Sequence, residues 1–149
     1  MTDRATLIAL AERVEKASGP DRRIDAEIAA TLRTGTEHDW AYRNYPRWIA
    51  DDHGRVHLEK NGPSFESAAY TASLDAAMTL VPAKWKLRQM YFSGPCADDR
   101  KWHLNLRGGR EGEDRFVGRG ASPALALCAA TLRARADEIQ ARESLGEGE

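Results

Sequence analysis

The chain has 149 residues, 42% hydrophobic and 30% charged, and its 22 lysines and arginines against 23 acids leave a formal net charge of −1. That length fits one domain able to bury a real core. The near-neutral balance argues against whole-molecule attraction to nucleic acid or membrane, so only a local patch could recruit either. No apolar run approaches the length of a membrane span. Met1-Thr2-Asp3-Arg4 lacks the apolar centre of a signal peptide, so a cytoplasmic location is expected.

Taken in order, Asp3 to Ala17 reads as a helix with Leu7, Leu10, Ala11 and Val14 on one face, stopped by Ser18-Gly19-Pro20. Asp21 caps a second helix through Arg33, with Ile24, Ile28 and Leu32 as its stripe. Trp40 to Ile49 reads as a strand, with Pro46 placing it at an edge or a bulge. Asp51-Asp52-His53-Gly54 is a hairpin turn into a strand over Arg55 to Glu59, and Asn61 to Ser64 is a loop. Ser73 caps a short helix, Leu74 to Leu80, that Pro82 stops.

Trp85 to Phe92 is the next strand, with Trp85, Leu87, Gln89 and Tyr91 on one face and Lys86, Arg88 and Met90 on the other. Lys101 to Arg107 alternates cleanly, Trp102, Leu104 and Leu106 inward and His103, Asn105 and Arg107 outward. Arg115 to Gly118 is a short fifth strand. Ser122 caps and Pro123 opens a long helix whose apolar face carries Leu125, Cys128, Ala129, Leu132, Ala136 and Ile139. Cys128 is a core residue, and a disulfide to Cys96 is not expected in a reducing compartment. The fold expected is α+β: an antiparallel sheet of about five strands covered by helices. One domain spans residues 1–142, and 143–149 form an acidic flexible tail.

Four segments carry a resemblance: Gly19 to Ala29, Tyr70 to Pro82, the Trp85 strand, and Ser122 to Ala130. Together they resemble the phage ABA-sandwich family, small proteins of phages and prophages, over roughly residues 5 to 136. The chain departs from that pattern between Trp40 and Ser67, where it is longer and more basic-aromatic. The resemblance implies helices on both faces of the sheet (α/β/α) and life inside a bacterial host cell. It carries no catalytic or binding residues, because the matched motifs are caps, apolar faces and helix stops.

Candidate chemistry is sparse. His53 and His57 beside Asp51 and Asp52 are either a polar hairpin or an incomplete metal-ligand set, and no metal is assigned. Gly118-Arg119-Gly120 before the Ser122 helix is either a plain loop or an anion site at a helix N-terminus. No nucleophile elbow, P-loop or dinucleotide fingerprint is present, so neither an enzyme nor a cofactor is expected.

The distinctive pattern is aromatics interleaved with cations: Trp40, Tyr42, Arg43, Tyr45, Arg47 and Trp48, then Trp85, Lys86, Arg88 and Tyr91. Such sets stack bases and meet phosphates, form protein-interface hot spots, or are core tryptophans with solvated arginines. Trp40, Tyr42, Arg43, Tyr45, Arg47, Arg88 and Arg119 are the candidate binding residues. With the family resemblance they lead to an expected phage accessory protein, non-enzymatic, that counters a host defence. It would do so by inhibiting a host protein or sequestering a small anionic, nucleotide-like signal. Nucleic-acid binding and a structural role in phage assembly are the alternatives, and homo-oligomerisation through an edge strand is compatible with each.

Overall fold

The computed structural model describes residues 3–35, 42, 44–59, 62–96, 99–108 and 114–146. Helix α1 (Arg4–Lys16) starts at Asp3, whose carboxylate accepts the Thr6 N–H at 2.7 Å, and it buries Leu7, Leu10, Ala11 and Val14 as the spacing predicts. Helix α2 (Arg22–Leu32) is capped by Asp21 and ends at Arg33 in the left-handed region, φ 56°. Three short strands follow: β1 (Trp48–Ala50), β2 (Arg55–Leu58) and β3 (Ser64–Glu66). Helix α3 (Leu74–Met78) comes next, capped by Ser73. Then come β4 (Lys86–Ser93), β5 (Lys101–Gly108), β6 (Asp114–Gly120) and the long helix α4 (Pro123–Gly146).

The expected single sheet of about five strands is not what forms. The described strands make two separate three-stranded antiparallel sheets, β1-β2-β3 and β4-β5-β6, with four helices among the described residues. The sequence reading has no strand after its Asn61–Ser64 loop, yet β3 begins at Ser64. It pairs Val56 with Phe65 on the second edge of β2, whose first edge is taken by β1, so the first hairpin completes a sheet of its own. Among the described residues β4 pairs with β5 alone. The fold is α+β, but it is not one sheet sandwiched between helices.

Two strand readings are corrected with it. The expected strand over Trp40 to Ile49 begins only at Trp48; Tyr42 is helical, and the Tyr45 N–H closes a turn onto the Tyr42 carbonyl at 3.2 Å. Arg33 reaches from the end of α2 to the carbonyls of Tyr45 and Pro46 at 3.0 and 3.2 Å, so those groups are not available to a strand ladder. In β4, Arg88 is an extra residue between Leu87, opposite Leu106, and Gln89, opposite Asn105. This bulge puts Leu87 on the opposite face from Gln89 and Tyr91, which simple alternation places together.

Helix α4 is the centre of the molecule. It packs on α1, α3, β5 and β6, and residues 124–132 are all buried, so the helix is enclosed all round rather than along one stripe. It reaches Gly146, so the first residues of the expected tail are helical. Gly118 and Gly120 of β6 let the helix approach: a Cβ on Gly118 would fall onto the Ala126 carbonyl and the Ala130 amide, and one on Gly120 would lie 2.7 Å from the Ala126 N. Helix α2 packs instead on β1 and β2. Asp25, fully buried, ties it to the segment before α3. It accepts the Thr71 N–H and hydroxyl, both at 2.8 Å, and an Arg22 Nη1 hydrogen at 2.8 Å. Among the described residues no helix is long and apolar enough to cross a membrane. Both cysteines are free.

Candidate functional site

The alternation in β5 sorts the larger sheet into two faces. Leu104, Leu106 and Gly108 meet α4 and the core, together with Phe116 and Gly118 of β6. The other face carries four cross-strand rows: Lys86, Arg107 and Arg115; Gln89, Asn105 and Val117; Tyr91, His103 and Arg119; Ser93 and Lys101. None of these positions is an acid. Among the described elements, α1 and α4 are the helices that make substantial contact with β6, and none makes substantial contact with β4.

At one end of this open face, Arg88, Gln89, Asn105, Arg107 and Arg115 line a depression of about 460 Å³. The bulge brings Arg88 into that group. None of the three arginines enters an ion pair or a side-chain hydrogen bond among the described residues. Asn105 lies beneath them, only 3% exposed. Its Nδ2 donates to Gln89 Oε1 at 2.8 Å, while its buried Oδ1 has no hydrogen-bond partner. A buried amide oxygen left unpaired costs free energy. In the middle of the face Tyr91 and His103 stack, centroids 4.9 Å apart and rings within 5° of parallel, and Tyr91 is 37% exposed.

The opposite end is different. There a depression of about 420 Å³ is lined by His103, Lys101, Arg119 and Lys16 but also by Glu12, Glu15 and Asp99. Lys101 Nζ donates to the Glu15 carbonyl at 3.2 Å, and the Arg119 N–H donates to Glu15 Oε2 at 3.0 Å. Glu15 also accepts Arg133 Nη1 at 2.7 Å. Burial alone would raise the Glu15 carboxyl. The Arg133 hydrogen bond and charge, with the Arg119 N–H, outweigh it and hold the group below its ordinary range.

The other predicted residues divide between the two sheets. Arg88 and Arg119 belong to the open face just described. Tyr42 and Tyr45 are half-buried against the core with rings 6.3 Å apart, and Trp48 stands edge-on to Phe65 at 5.5 Å with the Arg33 guanidinium 4.9 Å over it. Arg47 is exposed beside that small sheet, and its carbonyl accepts the Glu59 N–H. Trp40 and Arg43 lie outside the described residues. Trp85 is buried and donates to Glu138 at 2.8 Å, a core role. The His53–His57 turn is a polar hairpin: Asp51 accepts the Arg55 and His53 N–H groups and sits 2.9 Å from His57 Nε2. The Arg55 N–H first, and then the His57 ring, hold the Asp51 carboxyl well below the usual carboxylate range. Cys128, donating to the Tyr70 carbonyl at 3.4 Å, has its thiol pushed up to about 12 by burial and is no nucleophile.

Sequence reasoning missed Arg107, Arg115, Gln89 and Asn105 as a group. The usable signal was the outward set of β5 combined with Arg115 and Arg119 two strand-pleats apart; the missing piece was the bulge that adds Arg88. No family model, no curated protein and no solved structure matches this chain.

Proposed function

We propose that the protein is a non-enzymatic binding protein that holds a phosphate-bearing, nucleotide-like ligand on the open face of β4-β5-β6. The observation that carries this reading is the convergence of Arg88, Arg107 and Arg115, uncompensated by carboxylates, over the unpaired Asn105 amide oxygen. Guanidinium groups match phosphate geometry, and the exposed Gln89 amide adds a polar contact that a bare anion would not use. The five lining residues supply charge and hydrogen bonds, and none of them is a general base at neutral pH. In the phage setting that the family resemblance implies, such a site would sequester a nucleotide-like signal of the host's defence.

Calorimetric titration with ATP and with inorganic triphosphate tests the reading. Binding that is lost in Arg107→Glu/Arg115→Glu, with the thermal melt unchanged, is the expected result. No binding of either compound, or binding indifferent to those two charge reversals, overturns it.

A second reading, inhibition by contact, has its own observation. Met90 and Phe92 point to the α4 side of β4 but lie outboard of the helix, 44% and 51% exposed, on a strand whose other edge is unpaired. A partner protein, or a second copy of the chain, could add there. Native mass spectrometry separates the readings: Phe92→Asp should abolish a protein complex and leave anion binding intact.

A further inference from the structure

The open face is longer than the anion site at its end. It runs from Arg107 to Lys101 along β5, about 20 Å at the rise of a strand. Lys86, Arg88, Arg107 and Arg115 stand at one end, while at the other Arg119 and Lys101 share their depression with Glu12, Glu15 and Asp99. Between the ends lie the Tyr91–His103 stack and the Gln89–Asn105 amide pair. A phosphate held by the arginines would lie about 13 Å along β5 from that stack, at the rise of a strand. A strand of several nucleotides would reach both, with its bases against the middle of the sheet.

We infer that this face binds single-stranded nucleic acid, phosphates at the arginine end and at least one base stacked at Tyr91–His103. The inference rests on the anion-binding reading and names its ligand class. Stacking on aromatic side chains set on a sheet or groove, flanked by cations that follow the backbone, is the general physics of single-strand binding. A duplex hides its base faces, so the Tyr91–His103 platform would be of no use to it. The chain's net charge of −1 does not oppose this, because the depression at the arginine end is lined by three arginines and no acid. Gln89, exposed beside the buried Asn105, presents an amide to a base edge.

The test is fluorescence anisotropy of a labelled 15-nucleotide oligo-dT, read over a salt series against ATP and against a duplex of equal length. Four phosphate contacts predict a log–log salt slope of about −3 for a single strand. Arg107→Glu/Arg115→Glu should weaken binding at least tenfold. Tyr91→Ala should weaken it about tenfold, with Tyr91→Trp restoring it, since stacking and not the hydroxyl is at issue. If the oligonucleotide binds no tighter than ATP, or the duplex binds as well as the single strand, or Tyr91→Ala changes nothing, the single-strand inference falls while the anion site stands. If neither oligonucleotide nor ATP binds, both fall together.

Discussion

The two sheets are of equal strand number but use their polar side chains in opposite ways. Around β1-β2-β3 the charged groups answer one another. Arg22 binds Asp25 and Glu66, Arg23 binds Asp52 and Glu27, Asp51 binds His57, and Arg33 is held by the Tyr45 and Pro46 carbonyls. Across β4-β5-β6, Arg88, Arg107 and Arg115 enter no ion pair among the described residues, and an amide oxygen beneath them is unpaired. A polar group paired inside the protein contributes to the fold; one held without a partner on rigid strands is free for a ligand. Tyr42, Tyr45 and Trp48, the described aromatics of the segment most conspicuous in the sequence, are therefore largely structural, and the less conspicuous β5–β6 hairpin is the better candidate site.

The sharpest way to separate the two faces of the larger sheet is Gly118→Val. The added carbons would meet the Ala126 and Ala130 backbone, which cannot swing away as a side chain can. The expected loss is about 4 kcal/mol or more, seen as a fall of about 10 °C or more in Tm. Arg115→Glu, three residues earlier on the same strand but on the open face, should shift Tm by less than about 2 °C. A mild effect at Gly118 would mean that α4 does not seat on β6 as described.

Asp25→Ala tests the smaller sheet's side of the comparison. It strands the Thr71 N–H and hydroxyl and removes the Arg22 partner at a fully buried position. About 3 kcal/mol of stability should go, measured by urea denaturation, with ligand affinity on the open face unchanged. Loss of affinity in a variant that remains folded would show that the two sheets are coupled.

Much of this was legible in the sequence. The caps Asp21, Ser73 and Ser122, the α1 stripe, and the alternation of β5 follow from local rules, and each is found in place. What local rules do not encode is which strand edges meet. Ser64-Phe65-Glu66, preceded by Gly62-Pro63, has only three residues and no clear alternation, yet it completes the first sheet beside β2. The Arg88 bulge is equally silent, because it is defined by the partner strand and not by its own residues. The candidate site depends on both: the division leaves β4-β5-β6 with an uncovered face, and the bulge completes its arginine group.

Glu15 gives a smaller effect with a pH signature. It joins α1 to α4 through Arg133 and to the β6 edge through the Arg119 N–H. Its folded carboxyl titrates below the ordinary value of 4.5, so the unfolded chain binds the proton more readily. Its contribution is thus fully present above that value and is lost as pH falls through the folded one. Glu15→Gln should cost about 2 kcal/mol at pH 7. The difference from the parent chain should shrink in melts run progressively below pH 4.5, and a difference constant down to acid pH would show that the Arg133 pair is not the source.

The smallest effect expected is the most telling for the comparison. Arg47 and Arg115 are both exposed arginines on strand or strand-flanking positions, and in sequence Arg47 has the richer aromatic company. Its neighbours Tyr45 and Trp48 are committed to the core and to each other's surroundings, with Arg33 rather than Arg47 over the Trp48 ring. Arg47→Ala should therefore change stability by less than about 0.5 kcal/mol, as for an ordinary surface position, and ATP affinity by less than twofold. Arg115→Ala, which removes one of three converging guanidiniums, should weaken ATP several-fold under the same low-salt conditions. If calorimetry instead found Arg47→Ala the more damaging of the two, the ligand would belong to the small sheet, and the open face would be a solvated surface whose cations are merely unpaired.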